Sequence, residues 1–259
     1  MVLEETLLEI ENMSKSFGGL QAVSELSFTV SRGEIKAIIG PNGAGKTTVF
    51  NLISGLQRPD QGQKRFRGKV FDGLPPHEIA ALGIVRTFQI VQIFDNLTVC
   101  QNAMVGRHTR SKGEFWRSGV GLGGLRKEEE SIHDGALRAL EIVGLTSKKD
   151  EMAGNLPFGE EKLLEIARAM ATEPELLMLD EPAAGLNEKE TEDMAGIIKS
   201  IQELGVTILL VEHDMSLVMD ISDDILVLNY GVKIAEGSPD SVRENPAVIE
   251  AYLGEDVDV

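Results

Sequence analysis

The chain has 259 residues with a formal net charge of −17, and 42% of its residues are hydrophobic. Such a strongly acidic chain opposes nonspecific attachment to nucleic acid, which is therefore not expected as a partner. The single cysteine, Cys100, excludes an intramolecular disulfide and a thiolate zinc cluster, and apolar runs such as residues 206–211 are far shorter than the roughly 18 residues of a membrane span.

Strand patterns dominate the first forty residues. Apolar and polar residues alternate over 6–11 and 25–30, which predicts the strands of an N-terminal antiparallel β subdomain. The mostly apolar residues 34–40 are typical of a buried strand, and a helix is predicted to begin near Gly45. The predicted order is strand, glycine-rich turn, helix.

Helical patterns replace strand patterns between about 95 and 156. Helices are predicted near 98–107 and 127–143, and a glycine-rich segment at 118–124 lies between them. We therefore expect an inserted α-helical subdomain over about 95–156, within a single domain that covers residues 1–259.

Short apolar runs return at 175–180, 206–211 and 224–229, separated by helical stretches. This pattern is typical of a parallel sheet with crossover helices. A short strand at 232–236 and a helix from the turn at 238–240 are predicted to follow. The predicted fold class is α/β with a mainly parallel sheet.

The sequence GPNGAGKT at residues 40–47 matches a phosphate-binding loop, GxxxxGK[ST], between the predicted strand and helix. Glycines let the backbone approach a phosphate, the helix N-terminus offers free N–H groups, Lys46 supplies charge and Thr47 can bind Mg²⁺. A chance glycine-rich turn is the alternative, and the flanking elements disfavour it. The predicted phosphate-binding residues are Gly40, Pro41, Asn42, Gly43, Ala44, Gly45, Lys46, Thr47 and Thr48.

Two carboxylates, Asp180 and Glu181, end the predicted strand at 175–180. Parallel sheets place ligand-binding groups at this end of their strands. Asp180 suits Mg²⁺ beside Thr47, and Glu181 suits the general base that orients the attacking water. The alternative is a helix cap and a surface acid, since Pro182 follows directly.

His213 and Gln89 complete the predicted constellation. His213 follows the strand at 206–211, so its ring should emerge at the same sheet edge and contact the γ-phosphate and Glu181. Gln89 follows another short apolar segment and suits contact with Mg²⁺ and the attacking water. Either residue alone would more often be an ordinary polar group.

The ordered motifs GPNGAGKT, VRTFQ, LPFGE, LLMLDEP, AGLN and VEHD resemble the ATPase domain of ABC transporters over essentially the whole chain. The resemblance implies a P-loop NTPase core that binds ATP and Mg²⁺. It also implies individual roles: Phe17 stacks on adenine, Gln89 is the Q-loop residue, and His213 is the switch histidine. Asp180 and Glu181 form the Walker B pair. Asn187 occupies the D-loop position, where Asp is usual in the family.

The segment LPFGE corresponds to the LSGGQ signature, which contacts nucleotide held by a second ATP-binding subunit, identical or sister. Pro157 lacks the hydroxyl and the N–H of the usual serine, and Glu160 replaces glutamine. Phosphate contact would then rely on backbone N–H groups and on the dipole of a helix predicted to start near Glu160. The implied nucleotide-binding residues are Leu156, Pro157, Phe158, Gly159 and Glu160.

Finer motifs, FGGLQAV, GIVRTFQ, VEHDM and NPAVIEAYLG, are similar to the ATP-binding subunits of branched-chain amino acid uptake systems. The resemblance implies transmembrane permease subunits, indirectly a substrate-binding protein, and a peripheral location on the cytoplasmic face of the membrane. The acidic first residues also lack the basic segment of a secretory signal.

Other classes remain open at this stage. ATPases for the import of urea or short amides, ATPases for lipopolysaccharide export and non-transport ABC ATPases have many of the same motifs. A module that binds ATP without hydrolysing it is a further alternative. A small GTPase is disfavoured, because no NKxD motif follows the phosphate loop.

A docking surface for the permease is predicted over residues 90–97, IVQIFDNL. Its apolar Ile90, Ile93 and Phe94 are unexpected in a solvated loop. The alternative is that they pack against the helical subdomain.

Overall fold

The computed structural model describes residues 5–89, 91–108 and 122–253 of the chain. Its centre is a six-stranded sheet with the order β10-β9-β3-β8-β7-β6. All neighbouring pairs are parallel except β9 and β10, which form an antiparallel hairpin. The strands are β3 (Ile35–Ile39), β6 (Ile84–Arg86), β7 (Leu176–Asp180), β8 (Thr207–Val211), β9 (Asp224–Asn229) and β10 (Val232–Gly237).

A second, antiparallel sheet has the order β2-β1-β4-β5. Its long hairpin turns at Gly18 and Gly19, both of which have positive φ. Two-residue hairpin turns of this kind favour glycine. The strands are β1 (Thr6–Phe17), β2 (Leu20–Ser31), β4 (Gln61–Phe66) and β5 (Lys69–Val70).

Helices connect the strands and cover both faces of the central sheet. Among the residues described, no helix combines the length and apolar content needed to cross a bilayer. The helices are α1 (Lys46–Ile53), α2 (Pro76–Leu82), α3 (Val99–His108), α4 (Leu122–Ile142), α5 (Phe158–Met170), α6 (Glu188–Glu203), α7 (Met215–Ile221), α8 (Pro239–Arg243) and α9 (Pro246–Leu253).

Alternate residues of the central strands point to opposite faces and so join different cores. Leu177 and Leu179 of β7 pack in a core shared with α3, α4, α5 and α6. Leu176 and Met178 pack instead with α1 and the antiparallel sheet. A smaller core beneath β3 and β9 is completed by α7, α8 and α9.

The predicted fold class is confirmed, with a mainly parallel sheet, an N-terminal antiparallel sheet and helices between β6 and β7. The hairpin strands are longer than the predicted 6–11 and 25–30, because irregularities such as the register shift between Ile10 and Met13 interrupt the period-two pattern. The boundary of a helical subdomain at about 95–156 stays a prediction. Residues 118–121 of the glycine-rich segment lie outside the described residues.

Candidate functional site

The glycine-rich loop lies between the end of β3 and the start of α1. Gly40 has a φ of 148°, and a Cβ there would lie 2.0 Å from the carbonyl oxygen of Leu228. Gly45 has a φ of 103°, and a Cβ would lie 2.4 Å from the carbonyl oxygen of Ala22. Only glycine fits this backbone at these two positions.

Lys46 is buried inside the curve of this loop. Its ammonium group donates to the carbonyl oxygens of Gly40 at 2.6 Å and Pro41 at 2.9 Å. A cavity of about 310 Å³ opens above the loop, where the first turn of α1 presents N–H groups suited to an anion. It is lined by Leu20, Gln21, Ala22, Asn42, Gly43, Ala44, Gly45, Lys46, Thr47, Thr48, Glu181, His213 and Tyr230.

Glu181 follows β7 directly and faces this cavity. Its carboxylate accepts a hydrogen bond from Nε2 of Gln89 at 2.8 Å and lies 3.1 Å from Nε2 of His213. The structure thus brings the three predicted catalytic residues together around one carboxylate. They come from three parts of the chain that meet at the carboxyl edge of the sheet.

The backbone of Glu181 is unusual, since its φ is 51°. A non-glycine residue in this region costs about 1–3 kcal/mol and occurs often at functional sites. The N–H group donates to the carbonyl oxygen of Val211 at 2.8 Å, and the carbonyl oxygen accepts from Nζ of Lys162 at 2.9 Å and from the N–H of Ala184 at 3.2 Å.

A buried carboxylate, Glu212, fixes the segment that carries His213. It accepts from the N–H groups of His213 at 2.8 Å and of Ala183 at 2.7 Å, so it ties the end of β8 to the residues after Glu181. Sequence reasoning missed Glu212. The available signal was an acid between an apolar strand and the histidine.

Asp180 forms a buried ion pair with Arg86 at 2.6 Å. Arg86 also donates to Oδ1 of Asn51 at 2.7 Å and to Oγ of Ser54 at 3.2 Å, which links β6 to α1. Asp180 is not among the residues that line the described cavity beside Thr47. Sequence reasoning noticed the motif VRTFQ but overlooked Arg86 as a partner of this carboxylate.

The oxygen donors near Lys46 suit a hard divalent cation. The Thr47 hydroxyl and the Glu181 carboxylate line the cavity, and the Gln89 amide contacts Glu181. Carboxylate, hydroxyl and amide oxygens are the ligands that Mg²⁺ prefers. The residues present therefore fit a bound Mg²⁺.

The LPFGE segment lies at the start of α5, and within the described residues it does not line the Lys46 cavity. Helix α5 begins at Phe158 rather than near Glu160, because the carbonyl oxygen of Pro157 already accepts from the N–H groups of Glu160 and Glu161. The Glu160 carboxylate pairs with Lys148 at 2.5 Å. Leu156 is buried, whereas Phe158 is half exposed.

Phe17 lies at the end of β1, with Nζ of Lys15 5.5 Å from its ring centroid. It does not line the described cavity, but its cross-strand partner Leu20 does. Tyr230, which sequence reasoning missed, also lines it, and 84% of its surface is exposed. It occupies the turn between β9 and β10, next to Gly231.

Asn187 caps α6. Its side chain accepts from the N–H of Glu190 at 3.0 Å, and the Glu190 carboxylate accepts from the N–H of Asn187 at 3.0 Å. This reciprocal pair is a capping box, which satisfies two N–H groups at the helix start.

Comparison with known proteins places this site in context. The sequence profile of a family described as "ABC transporter" matches residues 23–184, and one described as "Branched-chain amino acid ATP-binding cassette transporter" matches residues 232–258. The chain is 45% identical over 254 residues to the "High-affinity branched-chain amino acid transport ATP-binding protein BraF" of Pseudomonas aeruginosa, covering 98% of this chain and 100% of that protein.

A second sequence relative and a solved structure are also similar to nearly the whole chain. It is 44% identical to the corresponding LivG protein of Escherichia coli K12, over 98% of this chain and 100% of LivG. A crystal structure of an ABC transporter ATP-binding cassette in its ADP conformation matches with a TM-score of 0.84 at 34% identity, covering 96% of this chain and 99% of that one.

Proposed function

This chain belongs to the ABC transporter family of ATP-binding proteins, and we propose that it hydrolyses ATP to drive import of branched-chain amino acids. The observation that carries the catalytic part is the Glu181 carboxylate, which Gln89 and His213 hold at the edge of the Lys46 loop. The substrate class rests on the transport ATP-binding proteins that are about 45% identical over nearly the whole chain.

The glycine-rich loop that carries Lys46 binds the phosphates of ATP in this proposal. The N–H groups at the first turn of α1 contact the phosphates, and the Lys46 ammonium exchanges its two carbonyl acceptors for phosphate oxygens. The Thr47 hydroxyl, the Gln89 amide and the Asp180 carboxylate would hold Mg²⁺. Bound Mg²⁺ neutralises charge that develops on the phosphates.

Hydrolysis requires a water molecule in line with the terminal phosphate. Glu181 accepts a hydrogen bond from that water and orients it. Gln89 and His213 contact separate oxygens of Glu181, so they fix the direction of its lone pairs. Most of the catalysis is then positioning and charge stabilisation rather than covalent chemistry.

A second ATP-binding subunit, identical or sister, completes the site in this proposal. The LPFGE segment contributes the N–H groups of Phe158 and Gly159, which lie in the first turn of α5, where helix geometry leaves N–H groups without an intrahelical acceptor. Because the Glu160 carboxylate pairs with Lys148 of its own subunit, the segment can approach phosphate without presenting that charge.

The permease would dock on the segment after Gln89, at the cytoplasmic face of the membrane. Phe94 is 49% exposed there, with the Arg168 guanidinium 5.9 Å from its ring centroid. Ile93 packs instead against the helical core, which favours the alternative for that residue, and Ile90 lies outside the described residues. A binding protein would deliver the substrate to the permease and contact this chain only indirectly.

The catalytic proposal is tested by replacing Glu181 with glutamine. Glu181→Gln should keep ATP binding, because the Lys46 loop is unchanged, and lower kcat by roughly 100-fold or more, because the base is lost. A radiolabelled phosphate-release assay on the complex gives kcat, and equilibrium dialysis gives the affinity for ATP.

Glu192→Gln is the matched control, since Glu192 is exposed on α6 and does not line the Lys46 cavity. It should leave both quantities unchanged. Wild-type turnover in Glu181→Gln would remove Glu181 from the proposed mechanism.

A further inference from the structure

Three charged side chains follow one another at intervals of three residues along α5. Lys162 and Glu165 are 5% exposed, and the side chain of Arg168 is 19% exposed. Burying a charge is costly unless it is paired or hydrogen-bonded. Each of the three must therefore have a partner within the protein.

The partner of Lys162 is the backbone of Glu181. The ammonium donates to the Glu181 carbonyl oxygen at 2.9 Å, and the Glu181 N–H is held by Val211 on the opposite side at 2.8 Å. Hydrogen bonds to its N–H and to its carbonyl oxygen thus hold the backbone of Glu181 in the left-handed region, at a φ of 51°. Together with the N–H of Ala184, which also donates to the Glu181 carbonyl oxygen at 3.2 Å, these bonds hold a glutamate in a region where it is strained.

The partners of Glu165 and Arg168 lie on either side of Gln89. The Glu165 carboxylate accepts from the N–H of Phe88 at 3.3 Å, and the Arg168 guanidinium donates to the carbonyl oxygen of Gln92. Burial raises the pKa of Glu165, and the Phe88 N–H counteracts that shift. These two contacts position the loop whose Gln89 amide reaches Glu181.

We propose that Lys162, Glu165 and Arg168 are positioning residues through which α5 sets the geometry of Glu181 and Gln89. This inference rests on the proposed ATPase function. Helix α5 also begins with the LPFGE segment, and residues 158–168 span about 15 Å of one continuous helix. A displacement of that segment on meeting nucleotide is therefore transmitted to Glu181 and to the Gln89 loop of its own subunit.

The test replaces Lys162 with methionine in the wild-type complex. Lys162→Met keeps most of the length of the side chain and removes the ammonium that donates to the Glu181 carbonyl oxygen. We expect kcat to fall roughly 10-fold to 100-fold, because small misplacements of a catalytic group have effects of this size. The KM for ATP and the affinity of the isolated chain for ADP should stay within about twofold of wild type.

Two further variants separate positioning from folding. Lys162→Arg retains a donor and should recover part of the lost kcat, whereas Lys199→Met, on the exposed face of α6, should behave as wild type. If Lys162→Met does not fold, Arg168→Met gives the same test on the Gln89 loop, because its side chain is partly exposed.

Wild-type kcat per folded molecule in Lys162→Met or Arg168→Met would overturn the positioning proposal, even if thermal stability fell. An equal loss of kcat and of ADP affinity would also overturn it, because that result indicates a collapsed site. Wild-type complex that does not hydrolyse ATP would instead overturn the proposed function itself, and the positioning proposal with it.

Discussion

Lys64 is fully buried, although lysine side chains are usually exposed. It is 1% exposed on β4, where its ammonium donates to the carbonyl oxygen of Leu52 at 2.6 Å and lies 4.7 Å from the ring centroid of Phe71. Burial lowers its pKa from 10.5 to about 8, against the opposing effect of Asp72. The folded protein therefore binds this proton less tightly than the unfolded chain does.

This shift predicts how stability depends on pH. Between pH 8 and 10.5 the unfolded chain retains the Lys64 proton that the folded protein has released, so the contribution of Lys64 to the free energy of unfolding rises with pH. Relative to Lys64→Met, wild type should gain about 3 kcal/mol across this window. Urea unfolding at a series of pH values measures the difference.

Lys69→Met, at an exposed position on the neighbouring β5, is the control and should keep the wild-type pH dependence. A stability difference between wild type and Lys64→Met that stays constant across the window would contradict the buried position of this ammonium.

Residues with a sequence motif could be placed in advance, whereas their supporting partners could not. Gln89, Glu181 and His213 meet at the sheet edge, as the constellation of motifs predicted. Arg86 lies within the motif VRTFQ and Lys162 follows the motif LPFGE, but their partners Asp180 and Glu181 are distant in sequence. Such pairings depend on tertiary packing, which no local pattern specifies.

At the scale of elements, the start of α6 shows how a departure from a family motif can keep the local structure. Asn187 occupies the D-loop position of the motif AGLN and also caps α6 through its reciprocal bonds with Glu190. Aspartate, which is usual at this family position, is an equally good helix cap. The departure from the family pattern therefore preserves the local structure.

Replacing this cap should have a defined effect on stability. Asn187→Ala removes the acceptor for the Glu190 N–H and should lower the free energy of unfolding by about 1 kcal/mol, whereas Asn187→Asp should stay close to wild type. Urea titration followed by far-UV circular dichroism measures both. Equal loss of stability in the two variants would show that the cap is not what Asn187 contributes.

The elements that sequence patterns failed to predict have polar or short sequences. Strand β4 reads QGQKRF and buries a lysine, so it shows no apolar alternation. Helix α2 has seven residues and begins at a proline, which is too short for a clear helical period. By contrast, strands β3, β7 and β8 of the parallel sheet are mostly apolar and fully buried, and their bounds agree with the predicted ones to within a residue.

At the scale of the whole molecule, the central sheet packs against different elements on its two faces. One face packs with α1 and the antiparallel sheet, beside the Lys46 loop. The other face packs with α3, α4 and α5, next to the exposed Phe94. Charged residues of α5 contact loops at the junction, because Lys162 donates to the carbonyl oxygen of Glu181 and Arg168 donates to that of Gln92.

We propose that ATP hydrolysis by this chain drives amino acid import, and an assay on the intact complex decides whether it does. The chain is isolated with its partners from gently solubilised native membranes, and the rate of ATP hydrolysis is measured with and without leucine-loaded binding protein. We expect a complex with multi-span permeases whose ATP hydrolysis the leucine-loaded binding protein accelerates. A complex that hydrolyses ATP but responds only to another solute, or a chain that associates with no membrane protein, would contradict it.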